Sequence, residues 1–145
     1  MNNTLTQLAQ FLEKQNFKCN SSEDNENILW VQIGLPHHKL APLFFVDFDE
    51  TSGMLLIMVN RLIKFRSAGG EIMTKINFFN SDPENFNCKM FIDRTGELVV
   101  NNSSIISGDY LVPKIVDRID LTVRSIDRHF GNFEEALSGN EEKAE

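Results

Sequence analysis

Eight apolar residues near the C-terminus, Val112, Val116, Ile119, Val123, Ile126, Phe130, Phe133 and Leu137, recur at steps of four and three. That spacing sets them along one stripe of an α-helix with a period near 3.5 residues. Ile115 widens the stripe, and Asp120 and Arg124 stand at i,i+4 on the polar side. A helix so long and one-sided needs an apolar surface to lie on. The spacing predicts a helix laid lengthwise on a sheet, with pairing to a second subunit as the alternative. Ser107-Gly108-Asp109 introduces it and Pro113 fits its first turn. Gly131-Asn132 is expected to stop it before Phe133.

The rest of the chain supplies the sheet. Leu5, Leu8, Phe11 and Leu12 predict a helix over 4–15 with Thr4 as its N-cap. Residues 20–27 are wholly polar and read as a loop. Ile28 to Leu35 reads as a strand, with Ile28, Trp30 and Gln32 on one face and Leu29, Val31 and Ile33 on the other. Leu43 to Phe48 and Met54 to Phe65 read as the next two strands, joined by the turn Glu50-Thr51-Ser52-Gly53. Their near-continuous apolar character predicts cover on both faces at the sheet centre. Ile72, Met73, Ile76 and Phe79 mark a second helix, closed by Asn80-Ser81-Asp82-Pro83. Phe86 to Asp93 and Glu97 to Ile106 form a second hairpin around Arg94-Thr95-Gly96. The order is α-β-β-β-α-β-β-α, a single α+β domain over 1–137 whose mostly antiparallel sheet is covered by helices, with 138–145 as a flexible acidic tail.

Charge and length remove several function classes. The 145 residues carry a net −7. Residues 134–145 hold five glutamates against Lys143, more than half of that excess. The basic residues form no stripe, which speaks against a nucleic-acid partner. The longest purely apolar run, Met54 to Val59, is far short of the roughly 20 residues a bilayer span needs, so no membrane partner is expected. The N-terminus has neither a basic nor an apolar export region, and the cytoplasm is the expected compartment. Cys19 and Cys88 are distant and unpaired in sequence, and read as reduced thiols.

Two local patterns imitate active sites. Asp47-Phe48-Asp49-Glu50-Thr51 resembles the Asp-x-Asp-x-Thr motif of Mg²⁺-dependent phosphatases, in which a first Asp attacks phosphorus and a second moves the proton. That chemistry needs a parallel strand ending at Asp47 and further acidic residues downstream. Here a turn at Gly53 sends the chain straight back, so turn-forming acids are the preferred reading. Met58 stands where a calcium loop needs its closing glutamate. His37 and His38 point different ways in extended chain, with no third ligand nearby, and read as a solvated pair. His129 reads as a cation near a helix C-terminus. No catalytic residue, metal or cofactor is assigned.

Twelve Phe against one Tyr and one Trp is the remaining signal. Phe is mostly core filler, and any that reach the surface mark an interface.

The element order, the Ile76-Asn77 step, the Gly108-started helix and above all the hairpin Cys88-Lys89-Met90-Phe91-Ile92-Asp93-Arg94-Thr95-Gly96-Glu97-Leu98-Val99-Val100 resemble the YbjN family. The resemblance runs from about Leu5 to Leu137. It implies the α+β fold of type III secretion chaperones and a small, non-enzymatic, homodimeric protein that binds or regulates other proteins. A dedicated class I secretion chaperone with one client is the alternative. The polar stretch 20–27 and the His-Pro connector depart from such chaperones. Ile72, Met73, Ile76 and Phe79 are the candidate interface.

Overall fold

The computed structural model describes the backbone of residues 1–144 and the side chains of residues 1–134. The acidic tail expected at 138–145 lies outside the residues with described side chains.

Helix α1 (Asn3–Lys14) buries Leu5, Leu8, Ala9 and Leu12, while Phe11 is 41% exposed. Its cap is Asn2, two residues ahead of Thr4, and the Leu5 amide donates to the Asn2 side chain at 2.9 Å. Thr4 is instead inside the helix. Its hydroxyl and the Asn3 amide both donate to the Glu50 carboxylate, at 2.8 and 3.1 Å. An acid from a distant turn thus ties down the first turn of the helix, where its charge also suits the helix dipole.

Six antiparallel strands form one sheet. They are β1 (Cys19–Ser21), β2 (Ile28–Gln32), β3 (Leu43–Phe48), β4 (Met54–Asn60), β5 (Cys88–Ile92) and β6 (Leu98–Ile105), in the order β1-β2-β3-β4-β6-β5. Both expected hairpins, β3–β4 and β5–β6, are present. Strand β1 lies in the stretch read as loop. Three polar-edged residues carry no pattern of their own, and β2 supplies the order by pairing, Cys19 opposite Val31. Strand β4 stops at Asn60, because Arg61 takes a positive φ and turns the chain away.

The main cover is on one face, which corrects the expectation of two; on the other, Val99 alone among the strand residues is buried. Leu29, Val46, Ile57, Asn102 and Cys88 line up in register across β2, β3, β4, β6 and β5. Val31, Phe44, Val59, Val100 and Met90 form the next row. All ten are buried beneath the helices. The intervening residues of β3 and β4 are half-buried or exposed, in strict alternation.

Helix α2 (Gly70–Ser81) and a 3₁₀ turn at Pro83–Asn85 follow β4. Ile72, Ile76 and Phe79 are 3%, 3% and 0% exposed and belong to the core. Of the four candidate interface residues, only Met73 is open, at 43%. The apolar stripe that announced the helix is the side it turns inward.

Helix α3 (Leu111–Ala144) carries Pro113 in its first turn, as expected, and buries Ile115, Ile119, Val123, Ile126, Phe130 and Phe133. It continues through Gly131-Asn132 rather than stopping. A mid-helix glycine costs about 1 kcal/mol, and the burial of Phe130 and Phe133 on either side outweighs it. Leu137, the last residue of the stripe, lies outside the described side chains.

Two glycines are fixed by geometry. Gly53 (φ +77°) and Gly96 (φ +87°) end their hairpins with backbone of another segment pressed against them. A Cβ would lie 2.3 Å from the Ile106 carbonyl oxygen at Gly53, and 2.4 Å from that of Phe65 at Gly96. Gly53→Ala and Gly96→Ala are each expected to lower stability by about 1–3 kcal/mol, the range for a side chain forced into left-handed backbone. Urea unfolding checks this, and Gly70→Ala, which meets nothing within 4 Å, is the control expected to stay near wild type.

Candidate functional site

Asp47 does not end a parallel strand. It sits inside β3, between Ile28 of β2 and Leu56 of β4, in antiparallel register. Asp49 accepts the Thr51 amide at 2.9 Å, and the Gly53 amide donates to its carbonyl at 2.8 Å. The acidic run is turn chemistry at a hairpin tip, with Glu50 serving α1. This arrangement lacks the strand geometry that aspartyl phosphate chemistry needs. Burial, and then the charge of Asp49, push the Asp47 carboxyl above the ordinary range. Among the described residues, no group of three or more His, Cys, Asp or Glu side chains is placed to hold a metal ion.

The expected solvated pair is half right: the His37 ring is exposed, and the His38 ring is largely covered. Both are anchored to α3. The His37 amide donates to Asp127 Oδ1 at 3.0 Å, and its ring Nδ1 lies 2.5 Å from Oδ2. His38 meets Glu134 through Nδ1 at 2.7 Å and the Asp127 carbonyl through Nε2 at 3.2 Å, and its ring stands edge-on to Phe130. The connector between β2 and β3 is thereby clasped to the back of α3. Sequence spacing could not show this, because the partners are about ninety positions away. His129 is no helix terminus either. It packs edge-on to Phe79, 3.4 Å from Asp82, and burial and then Arg128 hold its pKa below the ordinary value.

The two cysteines are free. Burial, and then Glu13, push the Cys19 thiol up to about 11, which keeps it protonated. Cys88 is buried beside Asn102 and Thr122. Asn102 Nδ2 lies 3.4 Å from both Cys88 Sγ and Thr122 Oγ1, and Thr122 donates to the Arg118 carbonyl at 2.7 Å. This buried polar knot joins α3 to β6.

The outer sheet face carries an organised apolar row. Its central row is Trp30, Phe45 and Met58, directly opposed across β2, β3 and β4. The two rings meet edge-to-face at 4.7 Å between centroids. On one side of this row lies a groove of about 580 Å³ containing Asp47, Asp49, Met54, Leu56 and Ile105. On the other lies one of about 470 Å³ containing Lys18, Trp30, Gln32, Leu43 and Arg61. Met54 and Ile105 are 62% and 75% exposed. The alternation of β3 was the available signal for this face, masked by Leu43, Phe45 and Leu56 being apolar on the open side. A second, smaller apolar surface is the outer side of α2, where Met73 is joined by Phe78 at 72% exposure.

No protein-family model matches the chain, and no curated protein sequence matches it. Solved structures do. The chain is similar to one in the heterodimeric ExoU–SpcU complex from the type III secretion system of Pseudomonas aeruginosa, at 17% identity over 88% of this chain and 94% of that one, with a TM-score of 0.55. It is similar to one in the ExsC–ExsE complex at 14% identity over 94% and 97%, with a TM-score of 0.57. The α+β fold expected for a type III secretion chaperone is therefore the fold observed.

Acid stability checks the clasp. Burial pushes the Asp127 carboxyl up, but the His37 hydrogen bonds and the two imidazoles prevail and hold it below its ordinary value. A carboxyl lowered on folding adds stability that is complete above its unfolded pKa near 4 and vanishes as pH falls through the folded value. Asp127→Asn is expected to lower stability by up to about 1 kcal/mol at pH 7, since the His37 ring is exposed. The gap to wild type should close steadily below about pH 4 in urea titrations; a gap independent of pH would show that the carboxylate charge plays no part.

Proposed function

We propose that the chain is a non-enzymatic, chaperone-like or regulatory protein-binding module of YbjN type, acting in the cytoplasm as a homodimer. The observation that carries this reading is the half-buried Trp30–Phe45–Met58 row, flanked by the exposed Met54 and Ile105, on a sheet whose opposite face is fully packed. An apolar row flanked by polar side chains, on a rigid sheet, is the usual make-up of a protein-docking surface and lacks the enclosed polar cluster of a catalytic pocket. The two similar structures described above are complexes with a partner protein, which supports a protein-binding role here. A dedicated class I secretion chaperone holding one client is the narrower form of this reading.

The outer side of α2 suits self-association. Met73 and Phe78 replace the buried Ile72, Ile76 and Phe79 as the residues that a second copy would cover. Wild-type protein is expected to sediment as a dimer at tens of micromolar and Phe78→Asp as a folded monomer. A wild-type monomer under those conditions would remove the homodimer from the proposal. Partner binding has its own readout, because Trp30 is the single tryptophan. Its emission should shift to the blue when a reduced, carboxymethylated, Trp-free polypeptide is added, and Phe45→Asp should abolish the shift while far-UV circular dichroism stays unchanged.

A further inference from the structure

The turn that joins α2 to β5 meets α3 at a single imidazole. Asn85, at the end of the 3₁₀ turn, is fully buried. Its Oδ1 accepts from Arg128 at 2.7 Å, and its Nδ2 donates to the Phe79 carbonyl at 2.8 Å. Those two bonds fix which way round the amide lies, so its nitrogen is the end that meets His129 Nε2, 3.3 Å away. A buried amide N–H there needs an acceptor, which makes the resident form the neutral ring with its proton on Nδ1. Asp82 Oδ2 lies 3.4 Å from the same Nε2. Unprotonated, Nε2 accepts from Asn85. Protonated, it donates to Asp82 and sets its own N–H against that of Asn85. The next residue, Phe86, has φ 53° and ψ −129°, backbone that suits glycine and strains a side-chain residue. Side-chain contacts therefore hold the turn in place, among them the Arg118 guanidinium 5.4 Å from the centre of the Phe86 ring.

We propose that His129 is a proton-operated latch for residues 82–86. The neutral ring accepts from Asn85 and keeps the turn on α3. The protonated ring gives its N–H to Asp82, Asn85 loses its acceptor, and the strained turn lifts away from Arg118 and Arg128. This goes beyond the protein-binding reading and does not depend on it. The charged groups around the ring come from three elements. Asp82 and Glu84 belong to the turn, Arg128 to α3 itself, and Lys75 to α2, where it lines with the ring a cavity of about 260 Å³. Glu84 is engaged by Arg128 at 3.7 Å, and Lys89 of β5 is turned to the Asn80 carbonyl at 3.0 Å. Asp82 is thus the acid left to pair with a protonated ring. Burial first, and Arg128 second, favour the neutral ring against the pull of Asp82. A base whose pKa is lowered by docking stabilises the docked form fully above its free value of 6.5. That contribution is lost as the pH falls below it. The docked turn is the neutral-pH state, and the lifted turn is the acid state.

NMR of the full-length chain tests the latch. The His129 ring signals are assigned by their loss in His129→Gln, whose amide oxygen can still accept from Asn85. In wild type the ring is expected to titrate below its value in the urea-unfolded chain. The Asn85 side-chain amide and the backbone amides of residues 84–87 should follow it with the same midpoint. Their exchange protection should fall by up to about tenfold for each unit of pH below that of a free imidazole, and the contact between Phe86 and Arg118 should be lost. Asp82→Asn should move the midpoint down, because it removes the anion and offers the ring a second donor. Asn85→Asp should move it up, because it replaces the donor with an acceptor. In His129→Gln the turn should stay docked down to about pH 5. If Asn85→Asp does not fold, Asp82→Asn carries the comparison, since it keeps the Oδ1 that accepts the Glu84 amide at 2.9 Å. A ring that titrates at or above its unfolded value overturns the proposal. Turn amides that do not share the ring's midpoint overturn it too, leaving His129 an ordinary buried histidine. An acid response that persists in His129→Gln overturns it in favour of Asp82, Glu84 or the connector histidines.

Discussion

The contact between α3 and the inner rows of the sheet holds the rest of the molecule in place. Ile115, Ile126 and Phe133 are essentially inaccessible, and they share one buried cluster with Val46, Ile57 and Phe44, which are equally so. Each such side chain contributes about 1.5–3 kcal/mol by burial. Every peripheral element is then tied to α3. Helices α1 and α2 both pack against it. The connector of β2 and β3 reaches it through His37 and His38, and the 3₁₀ turn through Asn85, whose Oδ1 accepts from Arg128 at 2.7 Å. A long one-sided helix thus acts as a spine, and its polar edges gather the loops that its apolar face cannot reach.

What the sequence showed well was whatever a short window can encode. Period-two and period-3.5 patterns placed β2, β3, β4 and α3, and glycine in the turns placed both hairpins. What it hid depended on partners far along the chain. Strand β1 exists because β2 offers an edge to Cys19–Ser21. Helix α3 passes Gly131 because two flanking phenylalanines are buried. The Ile72–Phe79 stripe was legible as amphipathic, but a stripe of that kind looks the same whether it faces its own core or another subunit. His37 and His38 show the same limit, since nothing near them in sequence announces Asp127 or Glu134.

The open face was half legible. Alternation in β2 separates Ile28, Trp30 and Gln32 from Leu29, Val31 and Ile33, and the structure keeps that division. The misleading part was chemical. Leu43, Phe45, Leu56 and Met58 are apolar on the side that no helix covers, so the strands read as buried on both faces. That discrepancy is itself informative. A strand that is apolar on its uncovered face departs from the polar-out pattern of an antiparallel sheet exposed to water.

The same departure explains why three helices suffice for one face and none packs on the other. Covering the second face would require another amphipathic element, and the remaining chain is spent on turns and on the connector 34–42. The face leaves its apolar row only half-buried, at a cost in solubility. The flanking Asp47, Asp49, Lys18 and Arg61 offset this by keeping water at both ends of the row. Edge-to-face contact between Trp30 and Phe45 fixes the two rings against each other, so the centre of the face is preformed.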